Sequence, residues 1–307
     1  MAKRIVITGA GGLVGRVLAD QSRRGGREVL TLTSAQCDIT DVGTLRRFVT
    51  AGDVVVNCAA FTQVDAAEAD EAKAHAVNAV GAGNVAQVCA EAGAGLVHLS
   101  TDYVFGGLPR AAPGEDASAI HQSPYEVDDD TAPASAYGRT KLAGERAVHS
   151  AKPDAYVVRT AWVYQGAEGT EGSDFVATMA AKAAGDGTVD VVADQIGTPT
   201  YVGDLVAALL QVADGVVDAT VVHVTNSGQA SRFDQARATF EALGADPDRV
   251  RPVGSDRHPR PAPRPAYSVL SAQRSVSAGL TPLRDWRAAL TLAVAAGPGS
   301  GPLTSTP

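Results

Sequence analysis

Tyr137 and Lys141 stand four residues apart in the run AYGRTKLAGE. On a helix that spacing puts both side chains on one face, about 6 Å apart at Cβ. A free phenol has a pKa of about 10, so it serves as an acid or base near neutrality only when a neighbouring positive charge stabilises its phenolate. The Lys141 ammonium is such a charge. Earlier in the chain Ser100-Thr101-Asp102 ends an apolar run, and a Thr101 hydroxyl placed beside the phenol can donate to a carbonyl oxygen as negative charge develops there. Tyr137 as proton donor, Thr101 as oxygen ligand and Lys141 as cation make a set suited to carbonyl reduction.

Such chemistry needs a hydride source, and the amino-terminal TGAGGLVG offers a place for one. Gly9, Gly12 and Gly15 follow an apolar strand-like run and lead into a helix. Glycines there permit a tight turn and close approach of a pyrophosphate, while the helix amino terminus supplies unpaired N–H donors. The end of the second strand-like run reads LTLTSAQ. It lacks the acidic residue that would favour NAD and also lacks a basic one, so use of both NADH and NADPH is expected. Asp38 and Ile39 are placed beside the adenine; Asp38 has the alternative of capping the helix beginning near Asp41. In NCAAFTQVDAAE, the small Ala59 and Ala60 after Asn57 let a flat cofactor lie against the backbone. Asn78 is an isolated polar position that could tie a neighbouring loop.

The elements that must position these groups alternate. RIVITG, EVLTL, DVVVNC, GLVHLS and AYVVRT are strand-length apolar runs, separated by helix-like Val14–Arg24, Ala74–Ala92 and Ser135–Val148. Unbroken apolar strands joined by helical crossovers imply a doubly wound parallel α/β sheet of Rossmann type. Residues 1–160 read as the NAD(P)-binding domain carrying the catalytic groups. Residues 161–296 read mainly as a smaller carboxy-terminal substrate lobe, with some elements returning to the main sheet, and 297–307 as a disordered tail. Gly106–Pro133 and Arg251–Pro265 read as proline-bearing loops. A chain of 307 residues with a formal charge of −8 has no need of staples to form a core and is a poor partner for nucleic acid. No apolar run is long enough to span a membrane. Three scattered cysteines indicate neither a disulfide framework nor a metal site, and a cytoplasmic location is expected.

Read together, GAGGLVG, CDITD, VNCAAFTQVDAAE, HLSTDYVFGG, AYGRTKLAGE, DQIGTPT and RPAYSVL resemble the dTDP-4-dehydrorhamnose reductase family of the extended short-chain dehydrogenase/reductases. The resemblance implies NAD(P)H-dependent reduction of the C4 ketone of dTDP-6-deoxy-L-lyxo-4-hexulose to dTDP-L-rhamnose. It implies Thr101, Tyr137 and Lys141 as the catalytic set, and places Leu13 and Val14 with the glycines at the cofactor. On the substrate side it implies Val64, Asp65, Asp102, Tyr103, Trp162 and Gln195. Some members bind magnesium at an interface, but no ligand set is assignable here, and both a homodimer and a monomer stay open.

Leu13 stands where many members have Gln, FGG replaces the common FDG, and an insertion spans Gly107–Ser123. These departures bear on the sugar more than on the reaction, so another dTDP-4-keto-deoxysugar is the alternative substrate. A non-enzymatic regulatory subunit on the same scaffold is the other alternative, against which the intact Thr101, Tyr137 and Lys141 weigh. For the substrate's diphosphate, Arg260 and Arg264 of the proline-rich segment are the candidate cations, since the net charge is negative and positive charge must be local.

Overall fold

The computed structural model describes residues 3–107, 123–166, 169 and 173–295. Nearly all of the Gly107–Ser123 insertion and the whole 297–307 tail lie outside them. The first half runs β1 (Ile5–Thr8), α1 (Leu13–Arg24), β2 (Val29–Leu32), α2 (Val42–Leu45), β3 (Val54–Asn57), α3 (Val64–Ala69), α4 (Glu71–His75), α5 (Ala82–Ala92), β4 (Gly95–Thr101), α6 (Ala136–Ala151) and β5 (Tyr156–Thr160). The second half runs β6 (Val163–Tyr164), α7 (Phe175–Ala183), β7 (Val189–Val192), β8 (Ile196–Gly197), β9 (Thr200–Tyr201), α8 (Val202–Ala213), β10 (Val221–His223), β11 (Ala230–Ser231), α9 (Arg232–Ala242), β12 (Val250–Val253), α10 (Gln273–Ser277) and α11 (Trp286–Ala295).

The main sheet is parallel, in the order β10-β5-β4-β3-β1-β2. Every residue of β1 and β3 is buried, which explains their unbroken apolar runs: helices cover both faces. Ile5 and Ile7 point to the face packed by Leu18 of α1 and Leu205 and Leu209 of α8. Val6 points the other way, into the core shared with Val85 and Val88 of α5 and Val148 of α6. From β1 the chain goes to β2 on one side and later to β3 on the other, and the crevice outside the carboxyl ends at such a reversal is where ligands bind in sheets of this kind. No described helix is long and apolar enough to cross a membrane.

Two expectations are corrected. The helix expected over Ala74–Ala92 is broken by a π-helical turn at Ala76–Gly81 between α4 and α5. The turn pushes the Asn78 carbonyl against α6, where a Cβ on Gly144 would collide with it. Arg251–Pro265 is not loop throughout, because its start belongs to β12, paired in parallel with β7. Pro252 is tolerated there because the ribbon has only two strands and a proline needs only an unpaired edge.

Candidate active site

A cleft of about 1070 Å³ opens along the carboxyl ends of the sheet strands. At its floor, Gly9 adopts φ 68, and a Cβ there would sit 2.5 Å from the Ala59 nitrogen. A Cβ on Gly15 would lie 2.6 Å from the Gly9 carbonyl oxygen. Both glycines are therefore required by close backbone approach, between β1 and the segment after β3 and between β1 and α1. Gly12 caps α1 without a side-chain hydrogen bond and no acidic residue occupies the first turn. The helix start thus keeps N–H groups and positive dipole available to an anion.

Leu13, Val14, Ala59 and Ala60 line the same wall, and Asp38 and Ile39 its far end beside Thr33 and Ser34. Asp38 does not cap α2. Its carboxylate accepts from the Thr40 nitrogen and hydroxyl at 2.9 and 2.8 Å, while Asp41 caps the helix through the Gly43 nitrogen. Asn78 ties a loop as its isolation suggested: its amide accepts from the Phe61 nitrogen at 2.7 Å and donates to the Phe61 carbonyl and to Thr140 of α6.

The start of α6 is fixed by Ser135, which accepts from the Gly138 nitrogen, and by Glu68, which accepts from the Ala136 nitrogen at 2.7 Å. That anchoring seats Tyr137 edge-on against Tyr103, ring centroids 5.5 Å apart, beside Thr101. The Thr101 hydroxyl donates to Asp102 Oδ1 at 3.0 Å. With that single proton committed, Thr101 can meet the phenol only as an acceptor. Burial holds the Tyr137 phenol well above its ordinary range. Tyr137 is therefore a protonated phenol, a donor in waiting.

Lys141 is buried, and its ammonium does not turn to the phenol as the spacing suggested. It donates to the Leu99 carbonyl at 2.7 Å, because a desolvated cation takes the nearest oxygen. Burial lowers its pKa to about 8, opposed by the Glu145 charge. Asp102, also buried, is pushed up to about 6 by desolvation against the pull of the Ser268 and Thr101 hydroxyls and the Arg232 charge. Its Oδ2 has no hydrogen-bond partner among the described residues.

Val64, Tyr103 and Trp162 reach the cleft; Asp65, Gln195, Arg260 and Arg264 are not among the residues lining it. Arg264 donates to Asp65 at 2.9 Å and Arg260 stands 4.0 Å from the same carboxylate, so these charges tie the proline-rich segment to α3. Gln195 donates to Ser255 at 2.9 Å. The arginine that does line the cleft, among the described residues, is Arg232, which the sequence reading missed. Its guanidinium lies 3.6 Å from the Trp162 ring centroid and 5.0 Å from that of Phe175. Trp162 has φ 48, a conformation that costs a bulky residue on the order of 1–3 kcal/mol. The sequence did carry one signal: Arg232 opens α9, and a cation at a helix amino terminus opposes the dipole. Among the described residues no cluster of three or more His, Cys, Asp or Glu is placed to hold a metal.

The family described as RmlD substrate binding domain matches residues 3–297. The chain is 67% identical to the dTDP-4-dehydrorhamnose reductase of Mycolicibacterium smegmatis, over 100% of this chain and 90% of that one. It is 56% identical to the dTDP-4-dehydrorhamnose reductase of Mycobacterium tuberculosis, over 96% and 93%. Among solved structures, the dTDP-4-dehydrorhamnose reductase of Bacillus anthracis in complex with NADP superposes with a TM-score of 0.84 at 32% identity, covering 94% of this chain and 98% of that one. The chain belongs to the dTDP-4-dehydrorhamnose reductase family.

Proposed function

We propose that this enzyme reduces the C4 ketone of dTDP-4-dehydro-L-rhamnose to dTDP-L-rhamnose, using NADH or NADPH, with Thr101, Tyr137 and Lys141 as its catalytic residues. The observation that carries the assignment of roles is the convergence of a protonated Tyr137, its partner Thr101 and the Lys141 cation at the head of a glycine-floored cleft. The cleft fits a dinucleotide: Gly9 and Gly15 clear its floor of side chains, and the uncapped start of α1 faces a pyrophosphate. When bound, the nicotinamide supplies the hydride.

The residues divide the remaining work. Tyr137 gives its proton to the C4 alkoxide as it forms, and its high proton affinity keeps it loaded until that charge appears. Thr101 passes a hydrogen bond between the phenol and Asp102, so the phenol's proton is aimed before the ketone arrives. Lys141 holds the ribose hydroxyls of the cofactor and adds positive potential near the developing oxyanion. Arg232, stacked on Trp162, takes the substrate's diphosphate, and the indole orients the planar guanidinium fork for two hydrogen bonds.

The test is turnover by Tyr137→Phe and Thr101→Val. Both variants should bind NADPH as the parent does yet lose most ketone reduction. Undiminished kcat in Tyr137→Phe at saturating ketosugar would remove Tyr137 from the proton-transfer step.

A further inference from the structure

Behind Lys141 lies a buried chain of polar side chains that the reaction scheme leaves unused: Thr8, Asn57 and His98. Asn57 Oδ1 accepts from the Thr8 hydroxyl at 2.7 Å and from the Ala59 main-chain nitrogen at 3.1 Å. A main-chain N–H can only donate, so the oxygen of the Asn57 amide must face it. The Asn57 nitrogen therefore faces His98 Nδ1, at 3.0 Å. An amide nitrogen also can only donate, which makes His98 Nδ1 an acceptor without a proton. The ring is neutral, and its one proton sits on Nε2. Burial lowers the histidine well below its ordinary range, in the same sense.

Nε2 stands 3.5 Å from Lys141 Nζ. The polarity fixed at Ala59 thus ends with an N–H pointed at the lysine nitrogen. An ammonium there meets a donor and has the Leu99 carbonyl as its acceptor; a neutral amine can accept from Nε2–H through its lone pair. We propose that His98 is a positioning residue that sets the proton balance of Lys141: the tautomer imposed by Asn57 holds the amine form and disfavours the ammonium.

The other groups facing Lys141 act in known directions. Glu145, one turn further along α6, favours the ammonium, while burial pushes the Cys58 thiol after β3 up to about 12 and keeps it neutral. Tyr137 lies one turn earlier on α6 as a neutral phenol. His149 acts on His98, where its charge disfavours protonation. Of these neighbours, His98 alone presents a fixed donor to Nζ. The consequence for the reaction rests on the role proposed for Lys141: if the ammonium is the working form, kcat/KM falls on the alkaline side where Lys141 loses its proton.

Two measurements on the intact protein test this without turnover. In ¹⁵N–¹H correlation spectra of the histidine rings, His98 should be the neutral Nε2–H tautomer between about pH 6 and 9, a range whose lower end lies below the pKa of about 6.5 of an ordinary imidazole. Lysine Cε resonances, assigned among Lys3, Lys73, Lys141, Lys152 and Lys182 by Lys141→Arg, report the Lys141 midpoint directly. His98→Asn keeps an acceptor for Asn57 and removes the N–H facing Lys141. His98→Leu removes it while keeping the site apolar, so a rise in both variants is not due to admitted water. Each should raise the Lys141 midpoint by about one pH unit, and the alkaline limb of kcat/KM should rise by the same amount. An Nδ1–H tautomer, or a Lys141 midpoint unmoved in both variants, would overturn the inference. A midpoint that rises while the alkaline limb stays put upholds the inference and counts against the role given to Lys141.

Discussion

The Arg232 guanidinium lies flat over the Trp162 indole, 3.6 Å from its centroid, and no carboxylate among the described residues forms an ion pair with it within 4.0 Å. The cations expected to meet the diphosphate, Arg260 and Arg264, are committed to Asp65 instead. Replacing Arg232 by Gln should therefore weaken dTDP binding by about 10- to 100-fold, since hydrogen bonds to charged groups contribute about 1.5–3 kcal/mol. KM for the ketosugar should rise while kcat changes little. Arg232→Lys should recover only part of the loss, because an ammonium cannot reproduce the planar fork. Calorimetric titration with dTDP checks both, and unchanged affinity in Arg232→Gln would assign the diphosphate elsewhere.

Tyr137→Phe should lower kcat by about 10²- to 10⁴-fold, the usual scale for a positioned acid. NADPH affinity, read by fluorescence titration, should stay near that of the parent because Lys141 remains. Joint loss of cofactor binding and turnover would point to a disturbed α6 rather than to a missing proton.

Asp102 ties activity to stability through its protonation. Its folded-state carboxyl is raised to about 6 from an ordinary 3.8, so between those values the folded protein holds a proton the unfolded chain has lost. Stability must then fall as pH rises through that window, by a ceiling of about 3 kcal/mol from this one group. Asp102→Asn should accordingly raise Tm above pH 6, have little effect near pH 4, and reduce turnover because Thr101 loses its anionic partner. Thermal melts across that range test the sign, and an Asn variant less stable at pH 8 than the parent would contradict it.

Cofactor preference should be weak. Thr33 and Ser34 line the cleft with Asp38 and carry no charge, and the Asp38 carboxylate accepts from Thr40. The ratio of kcat/KM for NADH and NADPH should stay below about 30-fold, or roughly 2 kcal/mol. A ratio above about 10³-fold would show a selective side chain elsewhere.

The parallel sheet and the glycine turn were legible because their physics is local: β1 and β3 are apolar up to their last residues, Thr8 and Asn57, and Gly9 and Gly15 sit where only a glycine fits. The Tyr137–Lys141 spacing was legible for the same reason. What Lys141 touches was not, since Leu99 and His98 come from β4 and are brought to it only by packing. Arg232 and Trp162 lie far apart in sequence, and the cleft wall they form arises only when α9 docks on the segment after β5. Local composition suggested the arginines of the proline-rich segment, but Arg264 is paired with Asp65 and Arg260 stands 4.0 Å from the same carboxylate, which no spacing could reveal. The π-helical turn at Ala76–Gly81 likewise follows from Asn78 meeting Gly144 across two helices.

The proposed reaction is reduction of one particular ketone with one stereochemical outcome. The direct measurement is a side-by-side assay of NAD(P)H consumption with freshly generated dTDP-6-deoxy-L-lyxo-4-hexulose and its 2-deoxy analogue, followed by assignment of the C4 configuration of each product. A site that hydrogen-bonds a sugar hydroxyl rejects the analogue lacking it, because its own polar groups are left unpaired. Higher kcat/KM is expected for the 2-hydroxy ketosugar, with dTDP-L-rhamnose as its product. Faster turnover of the 2-deoxy analogue, or a product of opposite C4 configuration, would contradict it.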